Sequence, residues 1–350
     1  MQKKKEISLV SVLFMILVIF IHISSDCIKN YEVSSAGFIV FSSLNRLSSF
    51  VVQGFIFLSG LKLFINYKEE FSYGKFCLSR LKRVVLPYFI IFNIFYIFMA
   101  VMHFFENPSI SHYLKNFFLG DLVSHFYFVI IICQFYILIP LWRFLYKKVP
   151  AIPALLASLL IMIMSKVAIP ELSRLLFKNE FLYNDTLFTT YIFYFVAGIY
   201  AAKYYDSFIE KITKSKTAIA ILWLIAGLAD AALLYMIRLN IYYPQWIENL
   251  HIAYSMLAIV LSLAFMYSLR EWKFANTKTF SRIDKASYLI YLIHPIFIFT
   301  IDIITAPMES VMIRFILRFL FTYILSIGLG LLIQIFFEKI KPGMKKQRNE

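Results

Sequence analysis

The stretch ISLVSVLFMILVIFIHISSD, residues 7–26, decides the fold. Apart from two serines it is apolar as far as Ile21. It follows the cations Lys3, Lys4 and Lys5 and carries one imidazole, His22, near its far end. At about 1.5 Å per residue, a helix of this length crosses a hydrocarbon core of roughly 30 Å. No A-x-A-like site follows, so the segment is expected to stay as a membrane helix rather than leave as a signal peptide.

The rest of the chain repeats that pattern. Its 350 residues are 61% hydrophobic and 19% aromatic, with a mean hydropathy of +0.75. A soluble domain is nearer 45–50% apolar, roughly, so that class is excluded. About ten spanning stretches are read, at 7–26, 47–66, 84–104, 122–142, 149–168, 187–203, 217–237, 251–269, 286–305 and 312–337. Lipid offers no partner to open backbone groups, so each span must be helical. The expected fold is an all-α polytopic membrane bundle, a single domain over 1–350 with a cytoplasmic tail from about 338.

The net charge of +15 would point to nucleic acid in a soluble protein. Here it follows the enrichment of cytoplasmic loops in Lys and Arg, and no nucleic-acid partner is expected. With the N-terminus inside, the inner segments hold the dense runs at 3–5, 68–83, 143–148, 203–216, 270–285 and 339–348. The outer segments hold Lys29, Arg46, Lys115, Lys166, Arg174, Lys178 and Arg238. Both termini are therefore expected on the cytoplasmic side. Cys27, Cys77 and Cys133 form no CxxC, so no disulfide framework and no metal site is expected. No glycine-rich nucleotide motif occurs, and any chemistry must be inside the bundle.

An ionisable group at membrane depth costs several kcal/mol unless paired or hydrated, which makes each one a functional candidate. His22 and Asp26 are four residues apart on one helical face. They fit a general base with an orienting carboxylate, and equally a His and Asp at headgroup level. Arg46 suits bidentate capture of a carboxylate or phosphate, or snorkelling to the interface. Gln53 and Gly54 are a polar group and a small packing residue inside the second span. Arg80 and Arg83, three apart, form either a clamp for an anionic cofactor or ordinary cytoplasmic charge. In SYLIYLIHP, 287–295, Tyr291 and His294 share a face and Pro295 opens the local hydrogen-bond ladder. There a catalytic and a structural histidine are equally compatible. Asp230, Asp302, Arg314 and Arg318 are read as salt bridges across the bundle.

Taken in order, these segments resemble the acyltransferase-3 family of integral membrane acyltransferases. The resemblance rests on a histidine in the first span, FIFLSG at 55–60, the R-x-x-R run at 80–83 leading to LPYF at 86–89, HFYF at 125–128 with Pro140 beyond it, YFVAGIY at 194–200 and SYLIYLIHP at 287–295. It covers most of the chain and is nearest to members without a fused extracellular domain, acting on exopolysaccharide or enterobacterial common antigen.

The resemblance implies transfer of an acyl group, commonly acetyl, from cytosolic acyl-CoA to a cell-envelope glycan or lipid-linked sugar. It places the protein in the plasma membrane, in contact with lipid and with envelope-biosynthesis proteins. His22 takes the family histidine's place, with Asp26 beside it, and Arg80 and Arg83 take the place of the arginines that face the donor. Arg46, Gln53, Tyr291 and His294 are then the expected substrate-facing groups. The family's arginine eleven residues before the histidine is Ser11 here. An exporter of polysaccharide or of a small solute, without acyl transfer, is the alternative, and a scaffold in an envelope-biosynthesis complex is a third.

Overall fold

The computed structural model describes residues 4–105, 109–178 and 181–346. Of the charges expected at the cytoplasmic face, Lys3 and Arg348 are outside these residues. Among the described residues all regular structure is helical and no strand occurs. Eight helical stretches are long and apolar enough to cross a membrane, nine if one bent pair counts as a span.

The chain opens with α1 (Lys5–Asn30). Next come α2 (Ala36–Ser48) and α3 (Val51–Phe64), which form one 29-residue span interrupted at Ser49 and Phe50. α4 (Tyr73–Arg80) runs through a π-helical turn, Leu81–Val85, into α5 (Leu86–Val101). The short α6 (Ile110–Leu119) is followed by α7 (Tyr127–Ile137) and α8 (Ile139–Lys148), bent at 58°. Then come α9 (Ala151–Phe177), α10 (Ile192–Lys203), α11 (Tyr205–Lys214) and α12 (Lys216–Arg238). The chain ends in α13 (Ile247–Ser268), α14 (Lys278–Thr305) and α15 (Val311–Lys346).

Four elements differ from the expectation, each for a local reason. The region 27–46, read as a loop, contains α2. Ser35 caps it by accepting the Phe38 N–H at 3.1 Å, and its serines bond back along the helix, as Ser48 does to the Leu44 carbonyl at 2.8 Å. The region 105–121 contains α6, opened by a Ser109 cap and closed by Gly120 at φ 68°. The stretch 122–142 is broken because Pro140 has no N–H to continue the ladder, and the Trp142 indole donates to the Phe135 carbonyl at 2.8 Å across the bend. The stretch 187–203 is too short to span as one α-helix. The Gln134 amide donates to the Thr186 carbonyl at 2.7 Å and accepts the Phe188 N–H at 3.0 Å, and Phe188–Tyr191 is a 3₁₀ turn.

The chain divides into two compact units, Met1–Gly54 with Ile209–Glu350, and Phe55–Phe208. In the first, α1 packs against α2, α13, α14 and α15. Its apolar window is 67% buried, against 17% for α12, so α1 is the core of its unit. In the second, α3 and α10 approach backbone to backbone. A Cβ on Gly60 would come within 2.3 Å of the Phe195 carbonyl oxygen, and one on Gly198 within 2.1 Å of that of Phe57. Small residues at the crossing are what let two membrane helices pack this closely. FIFLSG and YFVAGIY are thereby the two sides of one contact.

Candidate active site

The first unit's polar chemistry collects along the second half of α1. His22, about two turns before the helix ends, has its imidazole centroid 5.2 Å from that of His294 on α14, with the rings tilted by 44°. His294 is fully buried and Tyr291 nearly so, and their ring centroids are 6.1 Å apart.

Local sequence fixes the state of His294. Position 295 would normally donate its N–H to the Tyr291 carbonyl, four residues back, but Pro295 has none. The His294 ring takes that carbonyl instead, with Nδ1 2.7 Å from the Tyr291 oxygen. A carbonyl only accepts, so Nδ1 carries the proton and the basic lone pair of the neutral ring is at Nε2. His294 is therefore suited to accept or relay a proton rather than to donate from Nε2 to an oxyanion.

His22 is held by its backbone as much as by its ring. The Ile21 carbonyl accepts from Asn45 Nδ2 at 2.9 Å, and the same amide reaches Ser24 Oγ at 2.9 Å. Ser25 Oγ donates to the His22 carbonyl at 2.7 Å. The buried Arg318 donates from Nη1 to the Ile23 carbonyl at 2.9 Å and holds Asp302 at 2.7 and 3.0 Å. Three successive carbonyls thus each take a side-chain donor, which pins the rotation of α1 at the histidine.

The other expected site residues are placed as follows. Asp26 is one turn beyond His22, and its carboxylate is shared by Arg314 Nε at 3.1 Å and Asn30 Nδ2 at 2.8 Å. Arg46 is bidentate to the fully buried Asp230 at 2.9 Å for both contacts, and reaches Glu248 at 3.3 Å. The Gln53 amide faces the Phe50 and Ser49 carbonyls, at 3.2 and 3.0 Å, in its own helical turn. Ser11 is buried, its hydroxyl turned back onto the Ile7 carbonyl at 2.6 Å.

Arg80 and Arg83 belong to the second unit. Arg80 is half-buried, its guanidinium 5.0 Å from the Phe76 ring centroid and 5.4 Å from that of Tyr136. Arg83 is exposed, within the π-helical turn Leu81–Val85. That wider turn alters the one-face register expected from a three-residue spacing, and such turns occur often at functional sites.

Tyr291, His294 and His22 are thus brought together, while Arg46 and Gln53 are engaged elsewhere in the same unit. Sequence reading did not single out Asn45 as a support for His22, nor His251, whose Nδ1 is 2.7 Å from Asp230 Oδ2. A buried aspartate in GLADAAL, 227–233, is the signal that a partner exists, but nothing local names the partner.

No curated protein and no solved structure matches the chain. A family model described as an acyltransferase domain matches residues 5–335, which include His22, both arginines of the R-x-x-R run and His294. A histidine pair in a helical membrane bundle, matched to that model over nearly its whole length, identifies the chain as a multi-pass membrane acyltransferase belonging to the acyltransferase-3 family.

Proposed function

We propose that the protein is an O-acyltransferase of the plasma membrane that moves an acyl group, acetyl in the simplest case, from acyl-CoA to a hydroxyl of a cell-envelope glycan or lipid-linked sugar. The observation that carries this is the apposition of His22 and His294 at 5.2 Å, with the tautomer of His294 set by the Tyr291 carbonyl. In this reading His22 takes the proton of the acceptor hydroxyl as it attacks the acyl carbonyl, and His294 Nε2 orients the His22 ring or receives that proton in turn. Asp26, held between Arg314 and Asn30, sets a carboxylate one turn away from His22, where it can orient and support the imidazole. Arg80 and Arg83 bind the donor's phosphates.

The test is transfer of label from [14C]acetyl-CoA by the purified, reconstituted protein to envelope glycan fractions. Stable ester label with wild type and a rate at least about a hundredfold lower for His22→Ala support the reading, since a positioned general base contributes roughly 10²–10⁴. Solute uptake into vesicles that contain no acyl-CoA would instead favour an exporter.

A further inference from the structure

Ser49 is in the two-residue break between α2 and α3, half-buried. Its Oγ is 3.1 Å from Nε2 of His251 on α13, and Nδ1 of the same ring is 2.7 Å from Oδ2 of Asp230 on α12. His251 is 5% exposed and Asp230 0%. The carboxylate accepts, so Nδ1 carries the proton and Nε2 turns its lone pair to the serine. Arg46 grips both oxygens of Asp230, which fixes the carboxylate in orientation. The Tyr254 hydroxyl donates to the Leu47 carbonyl at 2.6 Å and ties the end of α2 to α13. At rest the Ser49 hydroxyl donates to the Arg46 carbonyl at 2.7 Å, and a turn of the hydroxyl hydrogen about the Cβ–Oγ bond redirects it to His251 with Oγ unmoved.

From this geometry we infer that Ser49, His251 and Asp230 form a nucleophilic site that accepts an acyl group from an acyl thioester as a serine ester. The atom order, hydroxyl to Nε2 and Nδ1 to carboxylate, is the one that activates a serine. It rests on the proposed acyl transfer for its donor, but not for its nucleophile. Ser49 Oγ bonds to the thioester carbonyl carbon while its proton passes to His251 Nε2. The carbon–sulfur bond breaks and the thiolate leaves with the proton from His251. In the second half the acceptor oxygen bonds to the acyl carbon and its proton goes to His251 Nε2. The bond to Oγ breaks, and His251 returns that proton to Ser49.

The same contacts would also serve as a polar staple across a membrane bundle, and the experiment separates the two. The full-length protein in nanodiscs is treated with a fluorophosphonate probe and, separately, with [14C]acetyl-CoA in the absence of acceptor, and the labelled peptide is identified by mass spectrometry. The expected result is one adduct per chain at Ser49 with both reagents. It is lost in Ser49→Ala and at least tenfold slower in Asp230→Asn and His251→Gln, with each variant's folding checked by its melting temperature. An unmodified Ser49 in folded wild type with both reagents, or a Ser49→Ala variant that transfers acyl groups at the wild-type rate, overturns the inference. Transfer without any Ser49 adduct sinks this site alone and leaves the acyltransferase reading intact. A fluorophosphonate adduct at Ser49 in a protein that transfers no acyl group does the reverse.

Discussion

Nδ1 of His294 is 2.7 Å from the carbonyl oxygen of Tyr291, the acceptor that Pro295 leaves without its usual donor. A proline that lacks an N–H thereby sets the protonation pattern of the residue before it, and that residue faces His22 at 5.2 Å.

Restoring the missing donor tests this link. In Pro295→Ala the N–H of residue 295 competes for the Tyr291 carbonyl and releases the imidazole. Proline in a helix interior costs about 3 kcal/mol against alanine, so the melting temperature should hold or rise. Acyl transfer should fall roughly tenfold or more, because a small misplacement of a reacting group is costly. A rate that follows stability upward would break the link.

Arg318 should act on rate through the backbone of α1. Arg318→Met removes the donor at the Ile23 carbonyl and leaves Asp302 without its cation. Asp302 is 42% exposed and can rehydrate, so a stability loss of only about 1–2 kcal/mol is expected. The double variant Arg318→Met with Asp302→Asn should regain most of the melting temperature and little of the rate. Full recovery of both would make Arg318 a salt-bridge residue and nothing more.

Arg83 and Arg80 should separate in donor kinetics. Arg83→Ala changes an exposed side chain and should raise KM for acetyl-CoA by about ten- to a hundredfold at nearly constant kcat, as expected for loss of a charge-assisted contact. Arg80→Ala should raise KM and also lower the melting temperature, because its guanidinium packs on Phe76 and Tyr136. An unchanged KM in both variants would remove the R-x-x-R run from donor binding.

The crossing of α3 and α10 admits no side chain. Gly198→Ala should cost about 1–3 kcal/mol or more and sharply lower folded yield, since its Cβ alone meets the Phe57 carbonyl at 2.1 Å. Gly328→Ala, with nothing within 4 Å of its Cβ, is the matched control and should purify like wild type. Equal yields of the two would contradict the close packing.

The helices were legible in the sequence because long apolar runs leave the chain no alternative in lipid. The breaks were less so. The region 27–46 reads as a loop until Ser35 is seen to cap α2 and Ser48 to bond back to its own helix, and the 3₁₀ turn at Phe188–Tyr191 depends on Gln134, more than fifty residues away. At the site, His22 and His294 each stood out as imidazoles in apolar helices, and the Tyr291 to Pro295 spacing was visible. Their apposition was not, because a three-residue or four-residue spacing orders groups on one helix only. For the same reason Arg46 read as a ligand-binding cation, when a carboxylate on α12 already occupies it.

The most direct measurement is a double-mutant cycle on acyl transfer from labelled acetyl-CoA, comparing wild type, His22→Ala, His294→Ala and the double variant in purified, reconstituted protein. Groups that act as a unit are non-additive. The expected result is a loss of about a hundredfold or more in His22→Ala, a loss of at least about tenfold in His294→Ala, and a double variant no slower than His22→Ala. A His22→Ala variant at the wild-type rate, or losses that simply multiply in the double variant, would contradict the histidine pair as the centre of the chemistry.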